Sequence, residues 1–365
     1  MLPNPMTWLA GNICANVYDI CVCSRQEINM ENINLKQLAK ELNLSASTVS
    51  RALRGSHEIS QETKDRVKAL AQKLGFQPNP HASSLRQSKS RTIAVVIPEI
   101  ENNFFSQVMN GVEEVAQKKG YHVLIYLTHE DQVREKDILN VLRNGRVDGV
   151  MISVSNTTES YEHLNAYKEA GVPLVFFDRV NEDFDVPRIT TDDAEAAFKA
   201  TNHLIKSACK RIAFLSMSGN LSISSRRLSG YTRALEKSGQ ADQLHIVECG
   251  TNDEVNREQI RKLLKSRPAP DAVFAAVEKL AVNTYEVCRE LSISIPDQLK
   301  VISFSNLSAV ALFDPPLSTI VQPAYEIGKE AASILFKIVE KKTLLPSEKR
   351  VTIPSQIVER KSTGD

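Results

Sequence analysis

From Arg91 onward the chain alternates short apolar runs with amphipathic stretches, and this alternation restricts the fold more than any other feature. The apolar runs lie at 92–97, 122–127, 147–154, 173–177, 211–217, 244–249, 271–277 and 299–304. Between them, stretches such as 105–119, 132–144, 191–206, 226–238 and 324–341 repeat their apolar residues at helical spacing. Continuous apolar strands separated by helices predict parallel sheets covered on both faces. The units are uneven in spacing and number eight or more, which fits two doubly wound subdomains rather than one barrel. Residues 178–190 read as a crossover, and 350–358 as one last strand.

The segment before Arg91 follows a different rule. Leu35, Leu38, Ala39 and Leu42 fall on one helix face. After a turn at Asn43-Leu44, Ser45 is placed to cap a second helix that buries Val49, Ala52 and Leu53, with Gly55 as its stop. Ser60 caps a third, whose inner face is Val67, Leu70, Ala71 and Leu74, with Gly75 as its stop. Three short helices with a tight turn between the first two describe a helix-turn-helix domain. Residues 78–90 are small and polar, with Leu85 as the single large apolar residue, and read as a linker.

Charge separates the same segments. The whole chain carries a formal +1, which by itself argues against a nucleic-acid partner. Residues 30–90 hold ten basic and five acidic side chains, a local +5. Residues 1–29 carry −1, so the whole-chain +1 leaves −3 for residues 91–365. A basic head on a mildly acidic body is the electrostatic footprint of a DNA binder, although a lysine-rich helical surface gives the same count.

The six cysteines (14, 21, 23, 209, 249 and 288) show no zinc-ligand spacing and read as free thiols of a reducing cytosol. No apolar run approaches the ~18 residues of a membrane span. Residues 1–29 have no clear period, and Met30 directly precedes the first patterned helix, so they are expected to be an over-called or disordered extension. No secretory signal is apparent, because Arg25 is the first basic residue.

The stretch NLKQLAKELNLSASTVSRAL at 34–53 closely resembles the helix-turn-helix of the lactose-repressor (LacI/GalR) family of bacterial transcription regulators. The likeness continues through ISQETKDRVKALAQKLGFQPN at 59–79, HASSLRQSK at 81–89 and TIAVVIPEIENNFF at 92–105. It resumes at GRVDGVMI (145–152), GVPLVFFDR (171–179), RLSGYTRAL (227–235) and FDPPLSTIVQPAYEIG (313–328). An ordered set spread from Asn32 to Arg360 is far more specific than a lone STVSRAL.

The resemblance implies a multi-domain chain. An all-α helix-turn-helix domain at 30–77 and a hinge at 78–90 precede a periplasmic-binding-protein-like α/β core at 91–362. The core would divide into an N-subdomain (about 91–190 and 322–348) and a C-subdomain (about 191–321 and 349–362). The second helix would enter the major groove, with Ala46, Ser47 and Arg51 reading bases and Thr48 and Ser50 on phosphates. Ala82, Leu85 and Arg86 would belong to a hinge helix that folds on DNA, with Leu85 wedged into a minor-groove base step. The protein would act as a cytoplasmic, nucleoid-associated homodimer on a pseudo-palindromic operator, probing it without a cofactor or metal. Dimer contacts would run along helices such as 105–119, and the absence of trailing heptads argues against a tetramer tail.

A small-molecule effector (a sugar, sugar derivative or other metabolite) would sit between the subdomains. The family positions fall on Asn103, Phe104, Phe105, Asp178, Asp192, Arg227, Glu278 and Asn306, with Asp193 beside the crossover. Two positions depart from the family. Val277-Glu278 stands in place of an Asn-Asp pair, and Ser305-Asn306 in place of an aspartate turn. Three readings stay open: a ligand that is not a simple sugar, Glu278 and Asn306 as substitute acceptors, or a cleft without small-molecule control.

A sugar-transport protein on the same core has no use for residues 30–90. An enzyme is the other alternative, but G-x-S-x-G, the phosphate-binding G-x-x-x-x-G-K-[ST] loop and H-E-x-x-H are all missing from the sequence.

Overall fold

The computed structural model describes residues 34–76 and 89–364, apart from 102, 159, 183 and 218–220. The chain forms two compact units that divide at residues 83 and 84. Residues 1–29 and the hinge positions Ala82, Leu85 and Arg86 lie outside the described residues.

The head unit is built from α1 (Leu35–Glu41), α2 (Ala46–Leu53) and α3 (Gln61–Lys73). Asn34 caps α1 reciprocally: its Oδ1 accepts from the Lys36 and Gln37 amides at 3.0 Å, and Gln37 Oε1 accepts from its own amide at 2.7 Å. Asn43 turns the chain in the left-handed conformation (φ 53°), which asparagine tolerates better than most residues. Ser45 Oγ then accepts from the Thr48 amide at 3.1 Å, and Ser60 Oγ from the Thr63 amide at 3.3 Å. Leu38, Ala39, Val49, Ala52, Val67 and Ala71 close the core of this unit. The predicted inner faces pack together, with Leu35, Leu42, Leu53, Leu70 and Leu74 only half-buried at the rim.

The second unit contains two six-stranded sheets. The first has the order β11-β5-β4-β3-β1-β2, all parallel. Its strands are β1 (Thr92–Ile97), β2 (His122–Leu127), β3 (Gly149–Ile152), β4 (Leu174–Phe177), β5 (Arg188–Thr191) and β11 (Arg350–Ile353). The second sheet has the order β12-β10-β9-β8-β6-β7, with only β12 antiparallel. It comprises β6 (Ile212–Met217), β7 (His245–Cys249), β8 (Ala272–Ala275), β9 (Lys300–Phe304), β10 (Ser318–Val321) and β12 (Gln356–Val358). The central strands are buried on both faces, which is why they read as unbroken apolar runs. The chain passes between the lobes three times, at 191–193, 321–324 and 353–356.

Two expectations need correction. The segment 178–190 is not only a crossover, because its end enters β5. The run at 350–358 is two strands in different sheets. Arg350–Ile353 pairs with β5 in the first lobe, and only Gln356–Val358 joins β10 in the second. The second-lobe boundary therefore moves from 349 to about 355. Pro354 lacks an amide for the ladder, and the Ser355 amide bonds to Asp192 Oδ1 at 2.7 Å, so the chain leaves the first sheet there.

Each lobe is covered by helices. α4 (Asn103–Lys119), α5 (Gln132–Leu142), α6 (Glu162–Glu169) and α11 (Ala324–Val339) serve the first. α7 (Asp193–Lys206), α8 (Ser222–Lys237), α9 (Asp253–Lys265) and α10 (Glu278–Leu291) serve the second. One helix pair in each lobe touches backbone to backbone. A Cβ on Gly111 of α4 would lie 2.1 Å from the Tyr325 carbonyl oxygen, and one on Gly328 of α11 the same distance from that of Val108. In the second lobe, Gly230 of α8 meets the Ala194 carbonyl oxygen of α7 in the same way. Only glycine permits this approach. Gly328→Ala should therefore cost about 1–3 kcal/mol of core stability in urea denaturation. Gly250→Ala, where nothing lies within 4 Å, should change it by less than about 0.5 kcal/mol. Equal effects at the two positions would refute the close-packing argument.

Candidate functional site

The C-terminal ends of the strands in the two lobes face a common cleft lined by residues of both lobes, the place where ligands bind in open α/β folds. Phe104, Ile223 and Phe304 form apolar wall, and Asp178, Arg227 and Glu278 bring charge. Phe105 also reaches the cleft but is nearly fully buried and packs edge-on against Phe177, so it is core as much as wall.

Arg227 is 3% exposed and held on three sides. Its Nε donates to Asp193 Oδ1 at 2.7 Å, and its Nη1 donates to the Ala276 carbonyl at 2.7 Å. Its guanidinium lies 3.8 Å from the centroid of the Phe304 ring. Phe304 ends a row of rings running through Phe274 and Phe214 to Tyr231, so the second lobe's core supports the arginine from below. A buried charge persists only when paired and hydrogen-bonded, and Asp193 at the first turn of α7 supplies the pair.

Asp178 follows β4 in the left-handed conformation (φ 60°) and is 6% exposed. Burial pushes its carboxyl up to about 6, against the pull of the Arg179 and Arg227 charges and a hydrogen bond from Gln322. The neighbouring Arg179 is engaged elsewhere: its Nη1 donates to Glu130 Oε1 and Oε2 at 2.7 and 2.9 Å. Glu278 opens α10 and turns Oε2 toward the Ser305 hydroxyl and the Leu307 amide, which donates at 3.1 Å.

Asn306 joins the lobes. Its Nδ2 donates to the Gln322 carbonyl at 2.7 Å and to Gln107 Oε1 at 3.1 Å. Its Oδ1 accepts from the Gln322 amide at 3.2 Å, and its carbonyl accepts from Gln107 Nε2 at 3.3 Å. Gln107 lies on α4 of the first lobe and Gln322 on the crossing segment just after β10. A second connection runs from the Val180 amide to Ser222 Oγ at 3.1 Å, beside the ion pair of Arg226 with Glu182.

The structure thus brings Phe104, Phe105, Asp178, Arg227, Glu278 and Asn306 to one cleft. Asn103 and Asp192 are not on its wall. Asp192 instead fastens the first crossing to the third through Ser355. Sequence reasoning missed Arg179, Ile223, Phe304 and Gln322 as lining residues. Gln322 was open to discovery, because it directly follows a strand, but β10 was not recognised as one.

On the head, Ser47 and Arg51 are exposed one turn apart on α2, while Ala46, Thr48 and Ser50 are half-buried. Ser45 Oγ shares hydrogen bonds of 2.8 Å with Ser47 Oγ and Thr48 Oγ1. Arg51 Nη1 donates to Glu58 Oε2 at 2.8 Å in a solvent-exposed pair, a type worth at most about 1 kcal/mol and easily exchanged for another partner.

The raised carboxyl of Asp178 has a consequence for stability. A carboxyl at 3.8 when unfolded and about 6 when folded stabilises the fold below the first value and loses that contribution as pH rises through the second. Asp178→Asn, which suits the left-handed backbone, should gain on the native protein by on the order of 2–3 kcal/mol between pH 4 and pH 7. Chemical denaturation across that range checks this, and parallel stability curves would contradict it.

Comparison with known proteins agrees with this geometry. Residues 34–79 match the family model of bacterial regulatory proteins of the lacI family. Residues 90–361 match the model of periplasmic binding proteins and the sugar binding domain of the LacI family. The chain is 31% identical over 334 residues to catabolite control protein A of Priestia megaterium, covering 91% of this chain and 99% of that protein. A lac repressor dimer bound to operator and the anti-inducer ONPF shares the fold, with a TM-score of 0.81 at 20% identity over 92% of this chain and 100% of that one. A LacI family regulator from Enterococcus faecium with bound ribose matches at a TM-score of 0.66 and 26% identity, over 75% of this chain and 98% of that one. With a helix-turn-helix head and a two-lobed core both matched, the chain belongs to the LacI family of DNA-binding transcription regulators.

Proposed function

We propose that this regulator represses transcription in the bacterial cytoplasm by binding a pseudo-palindromic operator as a homodimer. A small molecule in the inter-lobe cleft controls that binding. What carries the DNA-reading part is the pair of exposed side chains Ser47 and Arg51, one turn apart on α2 of the basic head. A guanidinium there can exchange Glu58 for the O6 and N7 acceptors of guanine, the commonest base-specific contact. Ala46 offers an apolar surface to a thymine methyl, and Thr48 and Ser50 hold phosphates near the helix N-terminus. Ala82, Leu85 and Arg86 take the minor groove.

Control works by population shift. The lobes of the core have more than one relative arrangement, and ligand in the cleft favours one of them. That arrangement sets whether the paired hinges fold on DNA. Support comes from the Asn306 connections, which tie the cleft floor to α4 of the first lobe and to a crossing segment. Asn103 and Asp192 act at the rim and at the crossing rather than against the ligand. The role is binding without turnover, as in the regulators this chain resembles.

Operator selection from random DNA with the purified full-length protein tests the reading, and failure to enrich a palindrome would overturn it. On the selected operator, Arg51→Ala should cost about 1–3 kcal/mol and relax specificity at one base pair per half-site. Leu85→Ala should weaken operator binding much more than nonspecific binding, and equal losses would remove its wedge role.

A further inference from the structure

We infer that the cleft takes a sugar-sized ligand carrying a protonated amine. This rests on the reading of the cleft as an effector site and specifies which ligand class it admits. Two carboxylates, Asp178 and Glu278, and two guanidiniums, Arg179 and Arg227, line the cleft, and each guanidinium is already paired with a carboxylate outside the lining. Arg227 holds Asp193 at 2.7 Å, and Arg179 holds both oxygens of Glu130. These pairs cancel, and Asp178 and Glu278 remain.

Neither remaining carboxylate has a close cationic partner among the described residues. Asp178 Oδ2 is 4.0 Å from Arg179 Nε, at the outer limit of an ion pair, and its hydrogen-bond partner Gln322 is neutral. Glu278 is bonded only through Oε2, to an uncharged hydroxyl and a backbone amide, so Oε1 has no protein donor among the described residues. Glu278 also supplies an acceptor on the side of the cleft where Val277 and Ser305 bring no charge.

The two lining guanidiniums have their carboxylate partners, Glu130 and Asp193, behind the wall, so Asp178 and Glu278 stand as the less compensated charges beside the apolar surfaces of Phe104, Ile223 and Phe304. Such a site offers acceptors and negative potential to a donor-rich cation. It is less suited to a phosphate or carboxylate, because Arg179 and Arg227 each already have a carboxylate partner. The apolar faces can pack against a polyol ring, and one ammonium group answers the charge left by Asp178 and Glu278.

Calorimetric titration of the full-length protein at pH 7.5 tests this with three matched series. They are D-glucosamine, D-galactosamine and D-mannosamine, then glucose, galactose and mannose, then the corresponding uronic acids. At least one amine should bind ten-fold or more tightly than its hydroxyl parent, and the uronic acids should not bind. Glu278→Gln and, separately, Asp178→Asn should each remove most of the preference for the amine over its parent. Binding of a hydroxyl parent or uronic acid as tightly as its amine would overturn the assigned class and leave the effector reading intact. Retention of the amine preference in both variants would also overturn the charge argument. Silence from all three series would overturn the assigned class and leave the effector reading to be tested with other metabolites.

Discussion

One carboxamide, that of Asn306, connects the parts on which everything else depends. Both of its amide hydrogens and its oxygen are engaged, with Gln322 on a crossing segment and with Gln107 on α4 of the other lobe. A crossing segment has to leave one sheet before it enters the next, so its backbone groups lose their ladder partners there. Side chains must replace those partners, because a buried unpaired amide or carbonyl costs about 1–3 kcal/mol. Asn306 does this at the second crossing and Asp192 at the third. The polar groups that make a two-lobed fold possible therefore sit at its cleft, where a ligand would meet them.

The charged side chains of the cleft follow a related constraint. Arg227 is buried against Phe304, and burial of a guanidinium requires a carboxylate, which Asp193 provides from the first turn of the helix after the first crossing. Asp178 lacks an equally close partner, and burial raises its proton affinity against the weaker pull of Arg179 and Arg227. The first arginine thus stabilises the site as built, while the aspartate leaves capacity for something that arrives. Near-neutral composition conceals the basic head, since the +1 of the whole chain is a balance of +5 on residues 30–90 against −3 on residues 91–365 and −1 on residues 1–29.

Much of the fold was legible because its determinants are local. β1 and β2 run over Thr92–Ile97 and His122–Leu127, as the apolar runs predict, and Ser45 and Ser60 cap the helices they precede. β5 was missed because three of the four residues of Arg188-Ile189-Thr190-Thr191 are polar, and it is buried only because Arg188 finds the Glu182 carbonyl and the threonines lie inside the sheet. β11 and β12 read as one strand because membership of a sheet is a long-range property, here decided by pairing with Arg188–Thr191 and with residues 319–321. At the site, Asp178 could be expected from its place after β4, and Arg227 from the RLSGY stretch that carries the family resemblance. That Asn306 is engaged between the lobes, or that Glu278 folds onto Ser305, depends on partners far apart in sequence.

The central claim is that the state of the lobes, set at Asn306, governs DNA binding by the head. The most direct measurement is a double-mutant cycle read on operator affinity, with Gln107→Ala, Asn306→Ala and the double variant titrated ligand-free at one salt concentration. If the bond between the lobes sets the DNA-binding population, both single variants shift operator Kd in the same direction, and the double variant shifts it no further than the larger single one. If folded variants keep the native Kd within about two-fold, or their effects simply add, then the lobes are not coupled to DNA through this contact.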